Sequence, residues 1–197
     1  MVNGRVITGF SLPYVALYDT TTQSGTTTVS YSSGQILARG VSVSLSVDSA
    51  DDNDFYADNV KAESATGMFG GGEVTLTVDG LLANAEKLIM GLPTVGEDGF
   101  YLYGDSMSIP YVGIGFIVRY MSDGVTSYVP VILNKCKFTT PNLEANTQED
   151  SIDWQTQELT ATVMRDDSAN HTWKMVGTAT TTEALAEAAI KTKFSIS

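Results

Sequence analysis

The sequence is poor in the residues that build disulfides, metal sites and catalytic centres. Its 197 residues include one cysteine, Cys136, and one histidine, His171. A single cysteine excludes an intrachain disulfide and a zinc site built on paired cysteines. No serine-elbow motif or catalytic cysteine signature accompanies His171. We therefore expect no catalytic residue, no metal site and no cofactor, and we expect that the protein is not an enzyme.

Positive charge is also scarce. The chain has 11 lysines and arginines against 23 aspartates and glutamates, a formal net charge of -12. The basic residues are scattered singly, apart from Lys135 and Lys137. An acidic chain repels phosphate, which disfavours nucleic-acid binding by counterion release.

Long hydrophobic runs are missing as well. No run is long enough to span a bilayer, and the N-terminal segment has no signal-peptide core. We therefore expect a protein that is made and used on the cytoplasmic side.

Alternation of small hydroxyl and aliphatic residues is the dominant pattern. "GVSVSLSVD" places Val41, Val43, Leu45 and Val47 on one face and serines on the other. "EVTLTVDG" and "ELTATVMR" repeat the pattern with threonines. A period of two residues is typical of strands with one buried face. The chain is therefore predicted to be mainly β, a sandwich-like or barrel-like fold in one domain over residues 1–197.

Two other strands differ because they are apolar on both faces. They flank Ser122-Asp123-Gly124, a hairpin turn signal. We expect a helix or second sheet to cover one side and a neighbouring chain the other. "TTTQSGTTT" is interpreted as a loop.

Two helices are expected. The central one, "GLLANAEKLIMGL", carries an apolar stripe of Leu82, Ala85, Leu88 and Ile89 and ends before Pro93. A short C-terminal helix is indicated by Thr180 and Glu183 at capping-box spacing. Its apolar stripe is Leu185, Ala188 and Ala189.

The stretch "DSADDNDFYADNVKAESATGMFGGGEVTLTVDG" contains a long acidic excursion, at about residues 48–72, between two predicted strands. Its aspartates do not fit the EF-hand spacing, so a calcium site is an alternative only. "GMFGGGEV" lacks the lysine and the following helix of a phosphate-binding loop. Long excursions of this kind are usually functional or bound to a partner.

These elements together resemble a known family. "DNDFYADNVKAESATG", then "GEVTLTVDGL" running into "LANAEKLIMGL", and later "ELTATVMRDD" are similar to the major tail proteins of long-tailed, non-contractile phages of Gram-positive bacteria. The resemblance runs from about Arg39 to Arg165, and the order of the elements carries it.

The resemblance implies a tail tube protein. Such subunits form hexameric rings that stack into a hollow tube, the conduit for genome ejection, and neighbouring subunits join their inner strands into one barrel. A long arm bridges adjacent rings. The implied partners are other copies of the chain, a tape measure protein in the bore, and the terminator and distal tail proteins. DNA passes in transit without specific binding, and the implied location is the virion, after synthesis in the host cytoplasm.

Two sets of residues follow as candidates. The lining of the tube lumen is predicted to be Ser42, Ser44, Ser46, Thr75 and Thr77. The arm between rings or subunits is predicted to include Asp48, Asp51, Asp52, Asp54, Phe55, Tyr56 and Asp58. In the arm, the two aromatic residues are expected to be buried anchors and the aspartates to meet lysines or arginines across the contact.

Two other functions stay open. One is a connector or terminator subunit of a tail, which forms a single ring that does not stack. The other is a carbohydrate-binding β-sandwich module, which needs an exposed aromatic platform. Trp154 and Trp173 are the candidates for that platform, and tryptophans in β segments are more often core residues.

Overall fold

The computed structural model of the protein describes residues 4–49, 53–57, 60–65, 69–92, 100–105, 107–143, 145–147 and 154–196. Within these ranges the fold is mainly β and sandwich-like, as predicted. The strands are β1 (Val6–Gln23), β2 (Thr26–Ile36), β3 (Gly40–Ser49), β4 (Asn53–Ala57), β5 (Val60–Ala65), β6 (Phe69–Val78), β7 (Val112–Ser122), β8 (Val125–Phe138), β9 (Gln157–Met164) and β10 (Lys174–Val176). The helices are α1 (Ala83–Met90) and α2 (Glu183–Lys193).

The main sheet is antiparallel throughout and is organised around the long strand β8. In the described ranges its strand order is β2-β1-β7-β8-β9-β6-β3. β7 lies along one edge of β8; on the other edge, residues 131–133 pair with β10 and residues 135–138 pair with β9. The sheet curls so that β1 contacts β3. At this contact the Phe10 ring occupies the space that a Cβ on Gly40 would need.

The larger core lies inside this curl. Val74, Leu76 and Val78 of β6 are fully buried, and the alternating apolar residues of β9 and the inner sides of β7 and β8 join them. α1 adds Ile89 and Met90 to the same core. Fully burying such a side chain stabilises the fold by about 1.5–3 kcal/mol.

α1 ends at Gly91, which adopts a left-handed conformation with φ 60°. Its stripe is partly mispredicted, because Leu82 is the N-cap residue and is 48% exposed. Leu82 precedes the first helical turn, so it does not share the buried face of the helix.

A second core lies on the other side of β1, β7 and β8, under α2. Ile190 and Phe194 are fully buried there with Tyr14 and Tyr31. Glycines of β7 make room for this layer: a Cβ on Gly115 would lie 2.7 Å from Cγ2 of Ile190. The second cover of the apolar strands therefore comes from the chain's own helix. The prediction that a neighbouring chain covers this side was wrong.

The register of α2 also differs from the prediction. The N-cap is Thr182, whose Oγ1 accepts a hydrogen bond from Leu185 N at 3.4 Å, whereas Thr180 Oγ1 donates to Tyr128 O at 3.1 Å. Thr180 is held in a bridge to β8, so the helix begins after it. The buried residues are Ala186 and Ile190, and the predicted stripe of Leu185, Ala188 and Ala189 is exposed. The true stripe is displaced by one residue, about 100° around the helix axis.

One hairpin turn was predicted correctly from the sequence, and a second hairpin was missed. Asp123 and Gly124 both have positive φ, 49° and 76°, so the predicted β7–β8 turn is confirmed. The segment interpreted as a loop is a second hairpin, in which β1 and β2 pair as far as Gln23 and Thr26. Ser24 and Gly25 have φ of 50° and 79°. A serine-glycine pair supports a two-residue turn, and the flanking threonines favour strands, which explains the correction.

Candidate functional site

The predicted lumen residues lie together on one face of adjacent strands. In the β3–β6 register, Ser42 pairs with Thr77 and Ser44 pairs with Thr75, while Ser46 pairs with Glu73. Ser42 Oγ donates to Thr77 Oγ1 at 2.9 Å. The three serines are exposed and the two threonines are half-buried. Strict alternation produces this grouping, because residues two apart in a strand share a face.

The polar face extends further than the predicted set. On β9, Thr160 pairs with Thr75 and Thr162 pairs with Glu73, so two more hydroxyl groups continue the same rows. Glu158 stands beside Thr77 in the next row. The alternation of "ELTATVMR" signalled these threonines, but only the strand pairing places them beside β6. We call the surface formed by Ser42, Ser44, Ser46, Glu73, Thr75, Thr77, Glu158, Thr160 and Thr162 the polar face.

Two lysines border the polar face on β8. Lys137 pairs with Thr162, and Lys135 pairs with Met164. Their ammonium groups lie 5.6 Å and 4.7 Å from the ring centroid of Tyr111, within the range of a cation–π contact. Tyr111 is 42% exposed, so an aromatic ring lies at this border.

A polar cluster anchors Lys135 beneath this border. Lys135 Nζ donates to Asp167 Oδ2 at 2.7 Å, and the hydroxyl of Tyr18 donates to the same oxygen at 2.9 Å. The hydrogen bond from Lys135 lowers the pKa of Asp167. Burial, together with the hydrogen bond that its hydroxyl donates to Asp167, raises the pKa of Tyr18 to about 12. Lys135 therefore has a carboxylate partner within the chain.

A neighbouring buried group fixes the connection between β9 and β10. Asn134 and Asp166 are 3% and 4% exposed, and Asn134 Nδ2 donates to Asp166 Oδ2 at 2.8 Å. Tyr31 donates from its hydroxyl to the Asn134 carbonyl at 3.0 Å, and burial raises the pKa of Tyr31. The lone histidine lies at the end of this connection, where His171 Nδ1 is 3.2 Å from Asp166 O. These contacts join strands and so have a structural role.

The predicted arm is built from strands. β3 and β6 stay paired as far as Ser49 and Phe69, and β4 and β5 form a separate two-stranded antiparallel sheet between them. The expectation of a long loop is therefore corrected for the described part of this segment, which is a hairpin extension. Strand pairing satisfies backbone groups that a loop would leave to water.

The arm residues fall into two groups. Asp48 is exposed on β3, opposite Gly71. Asp54, Phe55 and Tyr56 belong to β4, and their partners on β5 are Ser64, Glu63 and Lys61. The remaining three, Asp51, Asp52 and Asp58, lie outside the described residues.

The two outermost strands of the main sheet each have an unpaired edge. Within the described ranges, β3 pairs with β6 alone and β2 pairs with β1 alone. β1 leaves β7 after Leu17, so residues 18–23 and 26–31 form a two-stranded ribbon beyond the sheet. Sequence reasoning missed this ribbon because its threonines were assigned to a loop. Unpaired edges can pair with another chain.

The two tryptophans differ in their exposure to solvent. Trp154 is 85% exposed, contrary to the expectation that it is a core residue. Trp173 is half-buried and stacks on Phe69, with ring centroids 4.5 Å apart. A large exposed indole is a candidate for a binding contact.

Within the described part of the chain, no three histidine, cysteine, aspartate or glutamate side chains are grouped closely enough to hold a metal ion. Burial raises the pKa of the Cys136 thiol. The two helices described are too short to cross a membrane. Neither the models of known protein families nor the curated proteins gave a match to this chain.

Proposed function

We propose that the chain is the tail tube subunit of a phage with a long, non-contractile tail. The observation that carries the proposal is the polar face, which crosses β3, β6 and β9 and ends at an unpaired strand edge. A hydroxyl-rich sheet with a free edge is suited to a wall built from many copies. The resemblance of the sequence to major tail proteins supplies the assembly, a stack of hexameric rings.

Ring formation addresses the unpaired edge of β3. Backbone N–H and C=O groups along a free edge promote uncontrolled pairing between chains, and a closed barrel removes the edge. β3 carries a single charged residue, Asp48, near its end. Its middle therefore lacks the lysines that protect many edge strands. In the proposed ring, this edge pairs with a strand of the neighbouring subunit.

The polar face then lines the bore. Base stacking and phosphate neutralisation are the two contributions that hold nucleic acid on a protein surface. Serine and threonine hydroxyls supply neither of them. Lys135 and Lys137 stand at the border of the face, with Lys135 paired to Asp167. DNA in transit would therefore meet a hydrated wall with little to retain it, and the bore would also accommodate a tape measure protein.

The hairpin extension of β4 and β5 provides the contact between rings. The hairpin lies between β3 and β6 and contains acidic residues and the pair Phe55 and Tyr56. In the proposed tube, this hairpin reaches the next ring. Aromatic anchors supply contact energy and the charges set the register. Terminator and distal tail proteins would meet the same surfaces at the two ends of the tube, within the virion.

Negative-stain electron microscopy of the purified chain over a concentration series tests the proposal. We expect rings with an open bore that stack into tubes at high concentration. Isolated rings that never stack would favour the connector or terminator alternative. A chain that remains monomeric at every concentration, and also when distal tail protein is added as an initiator, would contradict the tube.

One observation favours a second candidate, the carbohydrate-binding module. The exposed indole of Trp154 meets its requirement for an aromatic platform. Thermal stabilisation of the wild-type chain by host cell-wall glycans, lost in Trp154→Ala, would support this alternative.

A further inference from the structure

An apolar groove lies on the face of the main sheet that α2 covers, between α2 and the strands β2, β8 and β10. Its volume is about 690 Å³, and its apolar lining includes Val29, Pro130, Ile132, Met175, Val176 and Ala189. Val176 at its rim is 58% exposed. The volume falls within the range of about 300–1,000 Å³ that is usual for binding pockets.

Among the residues whose exposure the structure describes, the most exposed large apolar side chains belong to the connection between β8 and β9. Leu143 is 92% exposed and Trp154 is 85% exposed. An indole with so much surface in water gains free energy when another surface covers it, because it can bury about 150–250 Å². The groove is thus an apolar cavity, and Trp154 is an exposed, largely apolar side chain that such a cavity could cover.

The two features lie at different positions along the length of β8. Ile132 of β8 lines the groove, whereas the connection that contains Trp154 begins after Phe138. At about 3.3 Å per residue, the stretch from Ile132 to Phe138 spans roughly 20 Å. Trp154 lies close in sequence to Gln157, which pairs with Val78 at the far end of β9. A contact between two different patches is heterologous, and repeated contacts of this type build an open stack or a ring.

The groove and the sequence before Trp154 carry opposite charges. Lys193 lines the groove, whereas Lys191, in the same last turn of α2, is ion-paired with Glu187 at 2.8 Å. In the sequence, Glu149, Asp150 and Asp153 come shortly before Trp154. Opposite charges at the rim of an interface favour one orientation and speed association.

The groove also offers a partner for the indole N–H. Ser30, Thr192 and Ser195 are among its lining residues, and each carries a hydroxyl oxygen that can accept a hydrogen bond. A buried tryptophan N–H usually has such an acceptor. An occupant that is apolar, acidic at its flanks and able to donate one hydrogen bond therefore fits this groove.

We propose that Trp154 of one copy of the chain inserts into the groove between α2 and β10 of the next copy. This inference rests on the proposed function, because it names a contact by which the subunits associate. It identifies Trp154 as the anchor and Val176 and Ala189 as residues of the receiving groove.

The test uses Trp154 as its own probe. The sequence has two tryptophans, so Trp173→Phe leaves Trp154 as the single one while keeping an aromatic ring against Phe69. Emission of this variant is recorded over a concentration series, with light scattering and electron microscopy on the same samples. We expect the emission maximum to move to shorter wavelength as the copies associate.

Val176→Glu in this background places a carboxylate in the groove. We expect it to remove the emission shift and to raise the concentration needed for association by roughly tenfold or more, as for loss of an aromatic anchor. The matched control is Val125→Glu, which makes the same change at a valine that is 69% exposed in the β7–β8 hairpin. The control should associate like its parent.

A mixture of two variants tests whether the contact is heterologous. Trp154→Ala keeps an intact groove, and Val176→Glu keeps an intact tryptophan. At a concentration just sufficient for the parent to associate, each alone should remain monomeric, and an equal mixture should form heterodimers through the one intact contact.

The outcomes separate this contact from the tube itself. Rings or tubes that form without an emission shift, or that form equally well with Val176→Glu, would overturn the contact and leave the proposed function standing. Loss of association in Val125→Glu as well would attribute the effect to added charge and would also overturn the contact. A single-tryptophan chain that remains monomeric throughout would overturn the contact and count against the tube.

Discussion

At the scale of single residues, β7 shows how a missing side chain shapes a core. Gly113 and Gly115 alternate along the strand and leave space for the rings of Tyr31 and Phe194. In the sequence these glycines weaken a strand prediction, since glycine has low strand propensity. The helix that occupies the space begins far away in the chain, so neither its presence nor its position over β7 could be deduced from the local pattern.

Substitution of Gly115 by alanine should therefore destabilise the protein. The added methyl group would lie 2.7 Å from Ile190 Cγ2 and 3.0 Å from the Phe194 ring, which forces α2 outward. We expect a loss of about 1–3 kcal/mol in the free energy of unfolding, as for other overpacked cores. Denaturant titration measures it. Gly104→Ala is the control, because no atom lies within 4 Å of the added Cβ; an equal loss there would contradict the packing argument.

The cluster around Tyr18 should make the protein sensitive to alkali. The pKa of Tyr18 is raised from 10.0 to about 12 by burial and by its bond to Asp167, so folding favours the protonated phenol. This contribution to stability is complete below pH 10 and is lost as the pH rises from about 10 to about 12. We expect the midpoint of thermal unfolding to fall across that window.

Tyr18→Phe should reduce this alkaline dependence, since it removes the titrating group, whereas Tyr120→Phe on β7 makes the same change outside the cluster. Unfolding midpoints for both variants at pH 8, 10, 11 and 12 provide the comparison. An unchanged alkaline slope in Tyr18→Phe would assign the effect to another group.

At the scale of elements, strand faces were easier to predict than helix faces. Alternation at β6 and β9 identified the buried residues, because a period of two residues leaves only two faces to choose between. On the outermost strand β3 it identified the face but not the burial, since Val41 and Val47 are 54% and 44% exposed. The stripe of α2 was misplaced by one residue, since an alanine-rich helix offers several faces of similar apolar character. Thr180 mimicked a capping residue while being bonded to β8. Tertiary contact, rather than local spacing, decided where this helix begins.

Replacement of Thr182, the N-cap residue, should test where α2 begins. Thr182→Ala removes the hydroxyl that accepts the hydrogen bond from Leu185 N. We expect a loss of about 1 kcal/mol in the free energy of unfolding, typical for an N-cap threonine. Thr181→Ala, at the adjacent exposed position, should change stability little. The two values can be read from parallel denaturant titrations, and equal values would contradict the assignment of the cap.

The polar face was predicted only in part, because its full extent also depends on contacts between distant segments. Five of its residues were identified from the alternation of β3 and β6, whereas Thr160 and Thr162 of β9 required knowledge of strand order. Strand order depends on pairings between segments far apart in sequence, so a local pattern does not reveal it. The ribbon at the end of β1 and β2 was missed because its polar residues match both a loop and a hairpin.

At the scale of the whole molecule, the proposed bore makes a prediction about DNA. Ser44→Arg combined with Thr75→Arg adds two cations to neighbouring positions of the polar face. We expect assembled tubes of this variant to retain short duplex DNA at low salt, with binding that weakens as salt increases. Fluorescence anisotropy of labelled DNA measures both effects.

The control adds the same two charges elsewhere. Val6→Arg with Val125→Arg alters two valines that are 65% and 69% exposed and lie outside the polar face. DNA enclosed by the bore should be protected from nuclease in the first variant alone. Equal protection in both variants would mean that the polar face does not line the bore.

The arm leads to a second prediction at this scale. Phe55→Ala combined with Tyr56→Ala should stop rings from stacking while leaving ring formation and thermal unfolding nearly unchanged, because the two aromatic residues are proposed to anchor adjacent rings. Electron microscopy distinguishes single rings from tubes. Phe55→Tyr combined with Tyr56→Phe keeps both rings and should restore stacking. Tubes of normal length in the double alanine variant would remove the arm from the assembly.

The double cover of β7 and β8 also determines how the molecule moves. Their central residues lie between two apolar layers, so their amide hydrogens can exchange with solvent only when the whole core opens. The outer part of the ribbon, residues 20–28, and the separate sheet of β4 and β5 lie outside that double cover. These projections can open and re-form on a faster timescale than the core. In the proposed tube, a subunit with this distribution could adapt its outer contacts as the tube bends while its central strands remain closed.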